Sequence, residues 1–207
     1  MLPAALLVAA YLLGSIPFSF IVVKLVAGAD IRQHGSRNVG ATNVARSFGK
    51  LPGIVALMLD GAKGWVAVWV ARWIVARPEW TAPVRSDSFW ITLAAAIAVL
   101  AHMFPVWLKF HGGKGVATAT GAFLAIDAKA LGAGLIVFAI VILATRIVSL
   151  ASILSAASIP IFLRFLTHAP FWTVVLSIVI SVAIIVKHHS NIARLAQGTE
   201  RRMGEPK

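Results

Sequence analysis

The chain has 207 residues, 59% of them hydrophobic, with a mean hydropathy of +0.89. There are 19 Lys and Arg against 7 Asp and Glu, a net charge of +12, and no cysteine. So apolar a composition excludes an ordinary water-soluble domain, and the missing thiol excludes disulfides, a cysteine nucleophile and cysteine metal sites.

The basic residues lie between long apolar runs, which favours anionic lipid headgroups and small phosphorylated substrates as partners and argues against nucleic acid. About 20 apolar residues cross a bilayer as a helix, with a range of about 17 to 25. On that measure the sequence predicts spans over 3–26, 53–76, 89–108, 115–127, 130–146, 147–166 and 171–187. The first charge is Lys24. With no basic leader before it, the start reads as a first span and not as a cleaved signal. Asp127-Ala128-Lys129 interrupts the apolar run from Val116 to Thr145, so two helices with a tight turn are expected there; Arg146 separates the next two. The fold class is all-α: a polytopic membrane helix bundle of about seven transmembrane helices, one domain over 1–207, with six spans as the alternative count.

An odd count puts the termini on opposite sides of the membrane. Thirteen Lys and Arg then share a side with the C-terminal tail and five lie opposite, with Lys63 inside a span. An excess of Lys and Arg marks the cytoplasmic side. The N-terminus is therefore expected outside and the C-terminus in the cytoplasm.

Four polar segments fall on that cytoplasmic side. The first runs from His34 to Arg46 and is dense in hydroxyls, amides and guanidinium groups, which suit an oxyanion such as phosphate. Asn38 is placed to cap a short helix, and Asn43 and Arg46 would share a face at i,i+3. A solvated loop with capping residues is the bland alternative. Next, Asp60 and Lys63 lie one turn apart inside the second span, where charges are costly and are expected to pair or to line a wet cavity, a structural pair being favoured over direct catalysis. His102, with Pro105 near the end of the third span, is read as a packing residue, with shaping of the pocket as the alternative. The second segment, Phe110 to Val116, carries Gly112-Gly113-Lys114-Gly115, where glycines would let backbone N–H groups approach an anion at a helix start. Gly115 follows the lysine, so this is not a nucleotide-binding loop. The third segment, Arg146 to Ser152, puts Ser149 and Ser152 one turn apart, as helix packing alone would also do. In the fourth, His188 and Asn191 are again i,i+3, followed by Arg194 and Gly198-Thr199-Glu200.

What is missing narrows the chemistry. The clear acids of the cytoplasmic side are Asp30, Glu200 and Glu205, too scattered for a multi-carboxylate metal site, so neither a metal nor a cofactor is expected. No histidine is followed by an acid five positions on, and no serine sits in a Gly-x-Ser-x-Gly elbow. The expected site binds oxyanions with fixed donors.

Taken in order, several runs resemble the bacterial acyl-phosphate:glycerol-3-phosphate acyltransferases. They are Gly14 to Phe18, Gly35 to Asn43, Leu59 to Gly64, His102 to Pro105, Gly112 to Thr118, Val148 to Ser152 and His188 to Leu195. The resemblance implies a seven-helix inner-membrane enzyme with its active site facing the cytoplasm. Its reaction would move an acyl group from acyl phosphate to the sn-1 hydroxyl of glycerol 3-phosphate, with a partner enzyme making the donor. By matching position, Ser36, Arg46, Lys114, Ser152, His188 and Asn191 would line the catalytic site. Asn38, Gly40, Thr42 and Asn43 would shape it, and Gly112, Gly113 and Gly115 look like the donor-phosphate cradle, with Ser149 as a further binding residue. A transporter of a phosphorylated metabolite is the rival reading, although no internal repeat of the kind transporters use is visible. A non-catalytic scaffold with a basic face is a second rival.

Overall fold

A computed structural model of the chain describes residues 2–204, and all regular structure among them is helical. They form two compact units, Met1–Ile126 and Asp127–Lys207.

The first unit opens with α1 (Leu2–Ser15) and α2 (Phe18–Ala27), which together make one apolar element of 26 residues. The sequence predicts an unbroken span over 3–26; the structure breaks it at Ile16-Pro17. Proline has no N–H and its ring crowds the carbonyl one turn back, which favours a kink or a break at this position. Backbone groups exposed by such a break need partners where no water reaches them. Here the Nζ of Lys63 donates to the Ile16 carbonyl at 2.7 Å. After α2, the short helix α3 (Ala41–Phe48) leads into α4 (Lys50–Val75).

Helix α4 is patterned inside-out relative to a soluble helix. Its buried face carries Gly53, Ala56, Asp60, Lys63, Gly64 and Ala67, while Leu51, Met58, Trp69 and Trp73 are exposed. Small residues at the contact and large apolar ones facing outward are what a lipid-solvated helix requires. Against α4 pack α5 (Asp87–Met103), α6 (Val116–Ile126) and α1. Helix α6, expected over 115–127, has 11 residues. At about 1.5 Å per residue that is about 16 Å, roughly half the hydrocarbon thickness.

The second unit holds α7 (Ala128–Thr145), α8 (Val148–Phe165), α9 (Phe171–Lys187) and α10 (His189–Ala196). Asp127 caps α7, its Oδ1 accepting from the N–H groups of Lys129 and Ala130 at 3.1 and 3.0 Å. Arg146 ends it in the left-handed region at φ 60°. Both predicted interruptions are therefore present. Pro160 sits inside α8 and leaves the Ala156 carbonyl without its usual donor; Ser181 of α9 supplies one at 2.6 Å. Among the described residues five elements are long and apolar enough to span a membrane, and α9 with α10, bent by 58°, would make a sixth.

Candidate active site

The loop before α3 is organised by one side chain. Asn43 lies on the inner face of α3, 2% exposed. Its Oδ1 accepts the Ser36 N–H at 2.9 Å, and its Nδ2 donates to the carbonyls of His34 and Asn38 at 3.0 Å each, with Ile31 further off at 3.4 Å. Gly35 turns the chain at φ +57°, and a side chain there would run into Asn43 and Ser47. This fixes the backbone on which exposed Ser36 and half-buried Asn38 stand. Two expectations are corrected here. The helix cap is Gly40, not Asn38; the Asn38 amide instead lies over Gly40, whose added Cβ would come within 2.9 Å of its Nδ2. Nor do Asn43 and Arg46 share a face. Arg46 is exposed with Thr42, at i,i+4, while Asn43 points inward with Ser47.

Asn43→Asp keeps the shape of this side chain but turns its donor nitrogen into an oxygen aimed at two carbonyls. A buried polar group without its partner costs about 1–3 kcal/mol. Trypsin is therefore expected to cut at Arg32 or Arg37 about tenfold faster in the variant, in a timed digest of the detergent-purified protein. Unchanged cleavage would mean the loop is held by something else.

The second segment turns back on the end of α5. The Gly112 N–H donates to the Met103 carbonyl and the Gly113 N–H to the His102 carbonyl, each at 3.1 Å. Those two amides are thus committed within the protein and do not point at an anion, which corrects the backbone-cradle expectation for Gly112 and Gly113. Their glycine character has a different cause: a Cβ on Gly112 would lie 2.5 Å from Pro105 Cδ, and one on Gly113 3.0 Å from His102 Cε1. Gly115 adds a left-handed φ of +82° against Met103 and Val99. The segment's other donors are Lys114 and the first turn of α6, where a helix has no carbonyl four residues back to take its N–H groups. The Val39 carbonyl packs against Gly113, so the structure brings the first and second segments together.

In the second unit a residue without an assigned role proves to be the hub. The Glu200 Oε1 accepts from Ser149 Oγ at 2.7 Å and from Asn191 Nδ2 at 2.6 Å; Oε2 accepts from Arg194 Nε at 2.6 Å. Burial pushes the Glu200 carboxyl up, but these hydrogen bonds outweigh it and hold the group below its ordinary range. The carboxylate also fixes which way the Asn191 amide faces, since only its nitrogen can donate. An acid among basic tail residues, six positions after Arg194, was the available signal. His188 lies at the bend between α9 and α10, 3% exposed, with Nδ1 2.8 Å from the Ile184 carbonyl. A carbonyl only accepts, so Nδ1 carries the proton and Nε2 is the basic nitrogen of the neutral ring. Ser152 is buried and its hydroxyl donates back to the Val148 carbonyl at 2.9 Å.

The chain is similar to known proteins over nearly its whole length. The family model described as glycerol-3-phosphate acyltransferase matches residues 4–198. A glycerol-3-phosphate acyltransferase of Thermosynechococcus vestitus is 44% identical over 94% of this chain and 92% of its own length. That of Bordetella pertussis is 40% identical over 99% and 93%. A crystal structure of PlsY, an integral membrane glycerol 3-phosphate acyltransferase in its glycerol 3-phosphate form, superposes with a TM-score of 0.86 at 38% identity, covering 98% of this chain and 96% of that one. Its lysophosphatidic acid form gives 0.84 at 37%, over 98% and 95%.

Proposed function

This chain belongs to the glycerol-3-phosphate acyltransferase family, and on that premise we propose that it transfers a fatty acyl group from acyl phosphate to the sn-1 hydroxyl of glycerol 3-phosphate. The products are lysophosphatidic acid and inorganic phosphate. The observation that carries the reading is a solved relative of the same fold in both a glycerol 3-phosphate and a lysophosphatidic acid form.

The glycerol hydroxyl oxygen attacks the acyl carbonyl carbon, giving a tetrahedral oxyanion. That intermediate collapses by breaking the bond from carbon to the bridging phosphate oxygen, and phosphate departs with the electron pair. The hydroxyl proton goes to Nε2 of His188. Because acyl phosphate is an activated mixed anhydride, alignment of hydroxyl and carbonyl supplies much of the acceleration. Arg46 and Lys114 stabilise charge on the oxyanion and the leaving phosphate. Ser36, Ser152 and Asn191 are the neutral polar groups of the same reaction, Asn191 held in orientation by Glu200. The Gly112 to Gly115 turn positions Lys114, and Ser149 acts through Glu200.

The surplus of Lys and Arg supports a site at the cytoplasmic face of the bacterial inner membrane; an N-terminus outside further requires a seventh crossing, which the short α6 makes only together with its flanking turns. A reactive donor calls for an enzyme that makes acyl phosphate close at hand. The test is purified protein with synthetic acyl phosphate and glycerol 3-phosphate, following both products. Lysophosphatidate and phosphate are expected in equal amounts, dependent on both substrates. Turnover with acyl-CoA but not acyl phosphate would refute the donor; glycerol 3-phosphate uptake into sealed vesicles without product would point to transport.

A further inference from the structure

The buried charges of α4 take no part in the chemistry above, yet their contacts lead to the loop that carries Lys114. Asp60 and Lys63 are 1% and 4% exposed, with Nζ 2.8 Å from Asp60 Oδ1. Ser19 Oγ donates to Oδ2 of the same carboxylate at 2.7 Å. On its other side, Nδ1 of His102 lies 3.5 Å from Oδ1. The far edge of the His102 ring, Nε2 and Cε1, packs against Gly113 so closely that no side chain fits there. The His102 carbonyl also takes the Gly113 N–H. Gly113 is thus held by the main chain of His102 and wedged by its ring. A small cavity lined by Ser19, Asp60, Lys63, His102, Val39 and Gly112 follows this line of contacts.

Asp60 and Lys63 lie on the same helix, so the pair between them joins no helices; the carboxylate reaches other helices through Ser19 of α2 and His102 of α5. Buried ion pairs add little net stability, because desolvation offsets their attraction. The contact with His102 connects this carboxylate to the residue that holds Gly113, which a pair buried for stability does not require. We propose that Asp60 is a positioning residue for phosphate binding: through His102 it fixes Gly113, and with it the direction in which Lys114 and the first turn of α6 meet a substrate phosphate. This rests on the reading of 112–116 as a phosphate site, and both substrates carry that group.

The experiment uses the full-length enzyme in detergent, with KM for each substrate, kcat and melting temperature measured separately. Asp60→Asn alone leaves Lys63 buried without its counter-charge, so the informative variant is Asp60→Asn with Lys63→Met, beside His102→Gln. Supporting partners of a binding group are worth about 10- to 100-fold in affinity at metal sites, and a rise of about tenfold in KM for one substrate is expected in both variants. Their effects should not add, since they act along one line of contacts. The substrate whose KM moves is the one whose phosphate the loop holds. A lower melting temperature with both KM values unchanged would overturn the positioning role, and if the double variant does not fold, His102→Gln decides alone. Gly112→Ala perturbs the loop directly: if it too moves neither KM, the phosphate reading of the loop fails, independently of Asp60.

Discussion

His188→Ala is expected to lower turnover by about 10² to 10⁴, the usual contribution of a general base. The geometry supports that role more than sequence position does. The ring is buried, its Nδ1 is satisfied by the Ile184 carbonyl one turn back, and the basic nitrogen is therefore Nε2. A helix that bends by 58° at this residue sets the ring by backbone geometry as well as by the hydrogen bond. Because proton removal happens only on the way to the transition state, kcat and kcat/KM should fall together and KM should hardly change. A His188→Ala enzyme with normal kcat and a raised KM would hand the proton to the donor phosphate and leave His188 as a binding group.

The chain's helices were legible because lipid and sequence agree about them. Asp127 and Arg146 interrupt apolar runs, and each proves to be a helix boundary with a local cause, a side-chain cap in one case and a left-handed turn in the other. Local signals failed where two were in competition. Pro17 lies in a run apolar enough to read as continuous, and one of the groups that satisfies the break, Lys63, is 47 residues away in sequence from Ile16. Asn38 has the chemistry of a cap, but Gly40 takes the cap position, and Asn38 meets α3 through its carbonyl, which accepts from Asn43. The pairing of Asp60 with Lys63 followed from the cost of buried charge, whereas Ser19 and His102 as further partners of the carboxylate could not, being 41 and 42 residues distant. Glu200 was hidden for the same reason: its meaning lies in Ser149, 51 positions before it. The candidate residues were thus found by type, and their geometry came from contacts that no window of sequence contains.

Gly64→Leu should abolish folding of the first unit, and Gly121→Leu should do the same. The two helices α4 and α6 meet through their backbones. A Cβ on Gly64 would overlap the Thr118 carbonyl and come within 2.9 Å of its carbon and 3.1 Å of the Ala122 nitrogen; one on Gly121 would run into the backbone of Gly61. Overpacking a core side chain typically costs about 1–3 kcal/mol because neighbours can rotate aside. Here the obstacle is main chain, which has no rotamer to change, so the helices must separate. Separation would carry off the first turn of α6 next to Lys114. Stability and activity are therefore expected to vanish together, seen as loss of detergent-extractable monodisperse protein. Gly132→Ala is the control. It lies in α7 with nothing within 4 Å of an added methyl, and replacing a helical glycine with alanine gains up to about 1 kcal/mol. If Gly64→Leu melts like the wild type while Gly132→Ala does not, the close approach of α4 and α6 is not what holds the Lys114 end of α6 in place.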